Sequence, residues 1–170
     1  MTFLIGTEEY VIDSSSLIEG LKKHYPKEIF PPLWDKIAEQ IELGKIVAPE
    51  EVKRELAEFG VDEIVDWCNG FSNFFQPEDV DIQNVVSTIM AHPEHCKLMN
   101  LKTPSKYCAD MWVIAIAKVR NLTVINEEKL LQNIGPYKNK IPNVCRDLGI
   151  PYMTLLEYIK KQNWVFREME

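Results

Sequence analysis

Acidic residues follow two short apolar segments of this chain. Asp13 comes directly after the β-branched and aromatic run 10–12, and Glu128 comes shortly after the apolar run 122–125. In a parallel sheet, the carboxyl ends of neighbouring strands lie at the same edge, and ligands bind there. If both runs are strands of one sheet, the two carboxylates are expected to meet at that edge.

Two further acids lie on predicted helices. Asp110 precedes the most apolar helical segment, 111–119, where an uncompensated charge is costly. Glu55 lies three residues after Val52 and one before Leu56, so its carboxylate reaches the edge of a buried helix face. Carboxylates that converge without Arg or Lys repel one another, unless they keep protons or share a hard divalent cation. Mg²⁺ or Mn²⁺ is the expected occupant.

The segments between these acids alternate between strand and helix patterns. Short β-branched or aromatic runs predict strands at 10–12, 46–48, 122–125 and near 152. Apolar residues at helical spacing predict helices at 17–21, 31–41, from about 49, after 60, and at 82–90, 111–119, 143–148 and 155–161. This order indicates one α/β domain over residues 1–170, with a central parallel sheet flanked by helices and a helical insertion around 60–104.

The composition limits the classes of partner. Lys plus Arg number 19 and Asp plus Glu number 26, and the net charge of −7 argues against non-specific coating of DNA or an anionic membrane. The apolar run 111–117 is too short to span a bilayer, and the opening 1–6 has no basic segment before its apolar residues. We therefore expect a cytoplasmic protein without a membrane anchor, with its four cysteines reduced.

Four segments of the chain, taken together, resemble the PIN-domain nucleases, including an uncharacterised PIN-like branch and the toxin-type ribonucleases. Residues 10–18 resemble the family's opening strand with its Asp and Ser/Thr, and residues 47–56 resemble its second strand and Glu-bearing helix. Residues 109–117 resemble the family's buried helix, which begins with Asp. Residues 124–128 resemble its strand that ends in Thr, any residue and an acid. At that strand end, Asn126 and Glu128 stand where the family usually has Thr and Asp. Glu127 competes with Glu128 for the role, and the spacing favours Glu128.

The resemblance implies a three-layer sandwich and a metal-dependent endoribonuclease that hydrolyses RNA phosphodiester bonds. It implies that four acids are both catalytic and ligands of Mg²⁺ or Mn²⁺: Asp13, Glu55, Asp110 and Glu128. Ser14 and Asn126 would position a water or a phosphate oxygen. The implied partners are an RNA substrate, an antitoxin protein if the chain is the toxin of a toxin–antitoxin pair, and a second copy in a homodimer. Three lysines are candidates for binding phosphate: Lys22, Lys23 and Lys129.

Other functions compete with this hypothesis. A non-catalytic PIN-like domain that binds RNA or protein would keep the same acids without hydrolysis. A phosphotransfer enzyme of the haloacid-dehalogenase type would need a second Asp two residues after Asp13, where Ser15 stands. A receiver domain would need paired acids ahead of its phosphorylated Asp, and Glu8 and Glu9 lie too early on the strand.

Structural roles also compete for individual residues. Asp13 could cap the following helix, Asp110 could favour a helix dipole, and Glu128 could be an ordinary surface acid. A solvated helix face would explain Glu55 and its neighbouring acids equally well. Residues 92–96 contain two His and one Cys, but a closed zinc site needs four ligands and no second pair is evident. The four tryptophans are expected in the core rather than as platforms for RNA bases.

Overall fold

The central strand of the fold is β1, and its residues are apolar on both faces. Tyr10, Val11 and Ile12 are all buried, as expected of a strand covered by helices on both sides. The computed structural model describes residues 8–168, and their five strands form one sheet. Their order across it is β3 (Phe75–Gln76), β2 (Ile46–Pro49), β1 (Tyr10–Ile12), β4 (Thr123–Ile125) and β5 (Tyr152–Met153). Every neighbouring pair is parallel, with Val11 opposite Val47 on one side and Val124 on the other.

Strands and helices alternate along the chain. In chain order the elements are β1 (Tyr10–Ile12), a π-helix (Ser16–Lys23), α1 (Pro31–Glu42), β2 (Ile46–Pro49), α2 (Glu50–Glu58), α3 (Asp62–Asn69), β3 (Phe75–Gln76), α4 (Val80–Ala91), a 3₁₀ turn (His95–Met99), α5 (Asp110–Arg120), β4 (Thr123–Ile125), α6 (Ile141–Leu148), β5 (Tyr152–Met153) and α7 (Leu155–Lys161). Parallel strands need such crossover connections, because a short turn can join only antiparallel strands.

Two groups of helices sandwich the sheet. On one face, α5 packs across β1, β2 and β4, with α4 and α6 beside it. The π-helix contacts α3 and α7, and α1 packs on β2. The middle of α5 is apolar all round, and Val113 to Ala117 are buried because neighbours cover it on several sides. The predicted three-layer α/β architecture with a central parallel sheet is therefore confirmed.

The stretch 60–104 differs in one respect from the helical insertion predicted there. It contains α3 and α4 as expected, but Phe75 and Gln76 pair with Ala48 and Pro49 and add the edge strand β3. Two residues are too short to show an alternating pattern in the sequence. This stretch therefore extends the sheet as well as adding helices.

The tryptophans lie in the core or pack against it, as predicted. Trp34 is buried, and its indole N–H donates to the carbonyl of Tyr25 at 2.7 Å, while the other three tryptophans pack against the core. All four cysteines are free thiols.

Within residues 8–168, no helix combines the length and apolar composition that a bilayer span requires. The opening segment 1–6, which the sequence analysis considered, lies outside the described residues.

Candidate metal centre

Asp13 directly follows β1, where the strand order changes direction: β2 and β3 lie on one side of β1, and β4 and β5 lie on the other. Its backbone N–H donates to the carbonyl of Ile125 at 2.9 Å, which continues the pairing of β1 with β4 by one residue. The carboxylate is almost fully buried, and Oδ2 accepts a hydrogen bond from the Ser15 backbone at 3.2 Å. Oδ1 is buried and has no hydrogen-bond partner among residues 8–168. Such an orphaned acceptor is costly, so it requires an explanation.

Glu55 projects from α2 toward the same edge of the sheet. Its Oε1 accepts a short hydrogen bond from the Ser14 hydroxyl, and its Oε2 accepts one from the Ala109 backbone at 3.0 Å. Ser14 follows β1 and Ala109 precedes α5, so the Glu55 carboxylate bridges two elements that are distant in sequence. Within this structure Ser14 therefore orients Glu55, rather than leaving its hydroxyl free.

Asp110 completes a group of three carboxylates. It is the first residue of α5, as predicted, and the helix directs it at the carboxyl end of β1. One oxygen from each of Asp13, Glu55 and Asp110 can be chosen so that all three lie within 4.8 Å of one another. In the part of the chain that the structure describes, this is the one such group suited to a metal ion.

Burial and mutual repulsion shift the pKa values of both aspartates. Burial, then the charge of Glu55, raises the pKa of Asp13 from 3.8 to about 7, against the hydrogen bond from Ser15. Burial also raises the pKa of Asp110 well above its usual range, and the charges of Asp13, Glu128 and Glu55 add to that effect. Burial and repulsion therefore disfavour the charged forms of both aspartates, and a cation among the carboxylates would favour them.

Glu128 lies beside this group but outside it. Its Oε2 accepts a hydrogen bond from the Ile141 backbone at 3.0 Å, at the start of α6. Its charge still contributes to the raised pKa of Asp13 and of Asp110. The structure therefore brings three of the four predicted acids together and leaves the fourth at the rim of the cluster.

Asn126 lies between the strand β4 and Glu128. Its Oδ1 accepts a hydrogen bond from the Glu128 backbone at 3.0 Å. Its Nδ2 is buried and meets no acceptor within the described residues. The site thus contains both an orphaned acceptor, on Asp13, and an orphaned donor.

Glu127 has a structural role in this fold. Its Oε1 accepts hydrogen bonds from the Leu155 backbone at 2.8 Å and from the Ser16 hydroxyl at 3.2 Å. Its own backbone N–H donates to the Ser15 hydroxyl at 3.1 Å. Glu127 therefore ties the start of α7 to the π-helix, and of the two adjacent acids only Glu128 borders the cluster.

The lysines and histidines considered in the sequence differ in their contacts. Lys129 is exposed directly after Glu128, and Lys22 is partly buried on the π-helix. Lys23 forms a salt bridge with Glu19 at 2.9 Å. His95 is buried with its Nε2 3.1 Å from Asp147 Oδ2, which links the 3₁₀ turn to α6. The charge of Lys138 lowers the pKa of Asp110, against the larger effects of burial and of the neighbouring acids. Lys138 lies in a loop, and no sequence pattern marks it.

The residues present fit a hard divalent cation. Carboxylate oxygens are the ligands that Mg²⁺ and Mn²⁺ prefer in proteins, and three are available from three separate elements. A cation would give Asp13 Oδ1 the partner it lacks and would offset the repulsion that raises both aspartate pKa values. The donor set contains no sulfur or imidazole, so it does not favour zinc.

Comparison with known proteins identifies one family. A search among curated proteins gives no match. A family model described as "Domain of unknown function (DUF4411)" matches residues 10–166, which includes all of the strands and helices described above. The chain therefore belongs to the DUF4411 family.

Proposed function

We propose that this protein is an Mg²⁺- or Mn²⁺-dependent endoribonuclease that hydrolyses RNA phosphodiester bonds. The observation that carries the proposal is the carboxylate group of Asp13, Glu55 and Asp110, together with the buried, unpartnered Oδ1 of Asp13. The resemblance of four ordered segments to the PIN-domain nucleases supports the choice of RNA as substrate.

The chain's own residues would hold the cation and align the substrate. Asp13, Glu55 and Asp110 are the proposed ligands, with Glu128 contributing from the rim. When bound, a divalent cation lowers the pKa of a water and stabilises charge on phosphate oxygens. Ser14 and the Ala109 backbone hold Glu55 in place through both of its oxygens. The free Nδ2 of Asn126 would donate a hydrogen bond to the water or to a phosphate oxygen.

The finer proposal is that the chain acts as the toxin of a toxin–antitoxin pair. Its support is the resemblance to the toxin-type ribonucleases. Co-expression with the product of the neighbouring gene tests it: a toxin should be purified with that product and should be inactive until the product is removed. Cleavage that the co-expressed product leaves unchanged would contradict the proposal.

A second candidate is a non-catalytic PIN-like domain that binds RNA or protein. The observation that favours it is that protein donors already bind Glu55 and Glu128: Ser14 and Ala109 for the first, Ile141 for the second. In that case the acids would link the strand ends to the helices. The two candidates differ in one respect: only the nuclease converts RNA to shorter products.

A cleavage assay separates the candidates. Purified protein is incubated with labelled RNA while Mg²⁺ or Mn²⁺ is titrated, and parallel samples contain a chelator. We expect cleavage with either cation and none with chelator, and Asp13→Ala and Asp110→Ala should each reduce it to the chelated background. The matched controls are Asp35→Ala and Asp66→Ala, which remove exposed acids from α1 and α3. Cleavage that survives chelation, or that both site variants retain, would contradict the proposal.

A further inference from the structure

Two loops of this acidic protein contain lysines and no acidic residue. The first loop comprises residues 100–109 and carries Lys102 and Lys106. The second comprises residues 129–140 and carries Lys129, Lys138 and Lys140. The chain as a whole has 26 acidic residues against 19 basic ones, so these loops reverse the sign of the average charge. We call them the basic loops.

Backbone hydrogen bonds hold the second basic loop against the first and against the turn before it. The Leu101 N–H donates to the Tyr137 carbonyl at 2.8 Å, and the Asn139 N–H donates to the Lys97 carbonyl at 3.0 Å. The buried Asn139 side chain also donates from Nδ2 to the Glu94 carbonyl at 3.0 Å. Lys138 therefore lies between two anchored residues, on a backbone of fixed position.

Each basic loop is connected directly to the carboxylate cluster. The first loop ends at Ala109, whose N–H binds Glu55, and Asp110 follows it. The second loop begins after Glu128 and leads to Ile141, whose N–H binds the Glu128 carboxylate. The two positively charged segments therefore border the acidic site on the side of α5 and α6.

The lysines of the basic loops are available to a ligand. Lys102, Lys106, Lys129 and Lys138 are exposed, and Lys140 is partly exposed. None of the five forms a salt bridge to a carboxylate of residues 8–168.

Two tyrosines accompany these lysines. Tyr137 is 52% exposed, although its backbone is anchored. Tyr107 is partly buried, and the Lys106 ammonium lies 5.1 Å from its ring centroid. The surface thus combines free cations with an accessible aromatic face.

We propose that the basic loops bind single-stranded RNA and lead its backbone to the carboxylate cluster. This inference rests on the proposed nuclease function and locates the surface that would bind its substrate. A polyanion is repelled by clustered carboxylates, and cations within a Debye length of about 10 Å at 0.1 M salt offset that repulsion. Lysines provide this attraction to phosphates without regard to sequence.

The exposed tyrosine favours a single strand over a duplex or an acidic peptide. Bases stack on an aromatic side chain only when they are not already stacked and paired. A duplex would offer the loops its phosphates alone, and an acidic peptide would offer carboxylates without a base to stack on Tyr137. Both alternatives are therefore built into the test as competitors.

Binding is measured apart from cleavage. Fluorescence anisotropy of a labelled oligouridylate is followed with chelator present, across a series of salt concentrations. The test variant combines Lys102→Ala, Lys106→Ala and Lys138→Ala. The control variant combines Lys27→Ala, Lys36→Ala and Lys118→Ala, which removes three exposed lysines outside the basic loops and changes the net charge equally. Thermal melts verify that both variants fold.

We expect the test variant to bind the oligouridylate at least about tenfold more weakly than wild type. The slope of log affinity against log salt should become shallower by about 2, because each lost phosphate contact of a single strand contributes about 0.7. The control variant should match wild type. Tyr137→Leu should weaken binding of the single strand without weakening binding of inorganic polyphosphate. Equal losses in both lysine variants would overturn the inference, as would displacement of the oligouridylate by a duplex or by polyglutamate as effectively as by unlabelled single strand.

The outcomes also separate this inference from the proposed function. If wild type cleaves RNA with Mn²⁺ and the test variant binds and cleaves equally well, the inference fails and the nuclease proposal stands. If wild type binds single-stranded RNA through the basic loops but cleaves none with either cation, the nuclease proposal fails and the binding surface stands.

Discussion

The buried carboxylate of Asp13 should make the metal-free protein less stable as pH rises, and Asp13→Asn should remove that loss. The folded chain binds a proton on the Asp13 carboxylate more tightly than the unfolded chain does, since burial raises the pKa of Asp13 from 3.8 to about 7. Between these two values the folded state holds more protons, so the free energy of unfolding falls as pH increases. The loss is absent below the unfolded pKa and is complete above the folded one.

The size of the effect follows from the pKa shift. At about 1.36 kcal/mol per pKa unit, the full shift corresponds to a loss of roughly 4 kcal/mol above neutral pH. About half of it is already present at pH 5.5, so the loss due to Asp13 grows by roughly 2 kcal/mol between about pH 5.5 and pH 8. Asn preserves the shape of Asp13 and can still accept the hydrogen bond from Ser15, but it carries no charge to repel Glu55.

Urea denaturation with chelator present measures this directly. The free energies of unfolding of wild type and Asp13→Asn are compared at about pH 5.5 and about pH 8. The difference between the two proteins reports the charge of Asp13 together with its effect on the groups that face it, Asp110, Glu55 and Glu128. We expect the advantage of the variant to increase with pH. Asp66→Asn, at an exposed position on α3, should show no such trend. An advantage that is equal at both pH values, or a variant less stable than wild type at pH 8, would refute the reasoning.

Further predictions concern the metal and the packing around it. Mn²⁺ at a hundredfold excess over its dissociation constant should stabilise wild type by about 2.7 kcal/mol. In thermal melts, Asp110→Asn should lose most of this gain, and in the absence of metal it should melt at a modestly higher temperature than wild type. Equal metal-induced shifts in the two proteins would mean that Asp110 is not a ligand. Glu127→Ala removes the acceptor for the Leu155 N–H and should cost about 1–2 kcal/mol in urea denaturation, yet its Mn²⁺-induced shift should match wild type. A lost shift there would place Glu127 in the metal site. Gly20→Ala should also destabilise the fold, because the added Cβ would lie 3.0 Å from Glu127 Oε1 and 3.1 Å from Leu155 Cδ2; an unchanged melting temperature would show that these side chains move aside freely.

Much of the fold could be predicted because the chain's local patterns agree with its tertiary structure. The apolar run 10–12 is a strand and the apolar segment 111–119 is a helix both by pattern and in the structure. Asp13 and Asp110 were recognisable for the same reason: each places a charge at the boundary of a buried element. Glu55 is harder to select, because its helix carries several acids. Its spacing from Val52 and the resemblance of residues 47–56 favour it, and in the structure its carboxylate contacts Ser14 and Ala109.

The features that could not be predicted depend on contacts between distant segments. The strand β3 has two residues and exists because β2 offers it a free edge. The helix predicted after Ser16 is a π-helix, and its Gly20 lies against Glu127, which follows β4 and is distant in sequence. The charge of Lys138 acts on Asp110 from a loop that is anchored to residues 94–101, and no local periodicity in the sequence indicates such an anchor.

The parallel pairing of β1 also determines when the site can form during folding. Tyr10 pairs with Ile46 on one side and with Thr123 on the other, so the central strand is completed only by a partner that is far away in sequence. Such long-range pairings are slow because the intervening chain must lose its freedom before any contact compensates. On a ribosome, Asp13 and Glu55 emerge well before Asp110. A nascent chain of this protein therefore exposes β1 while its carboxylates are still dispersed, and the three carboxylates meet only once α5, which carries Asp110, has packed on the sheet.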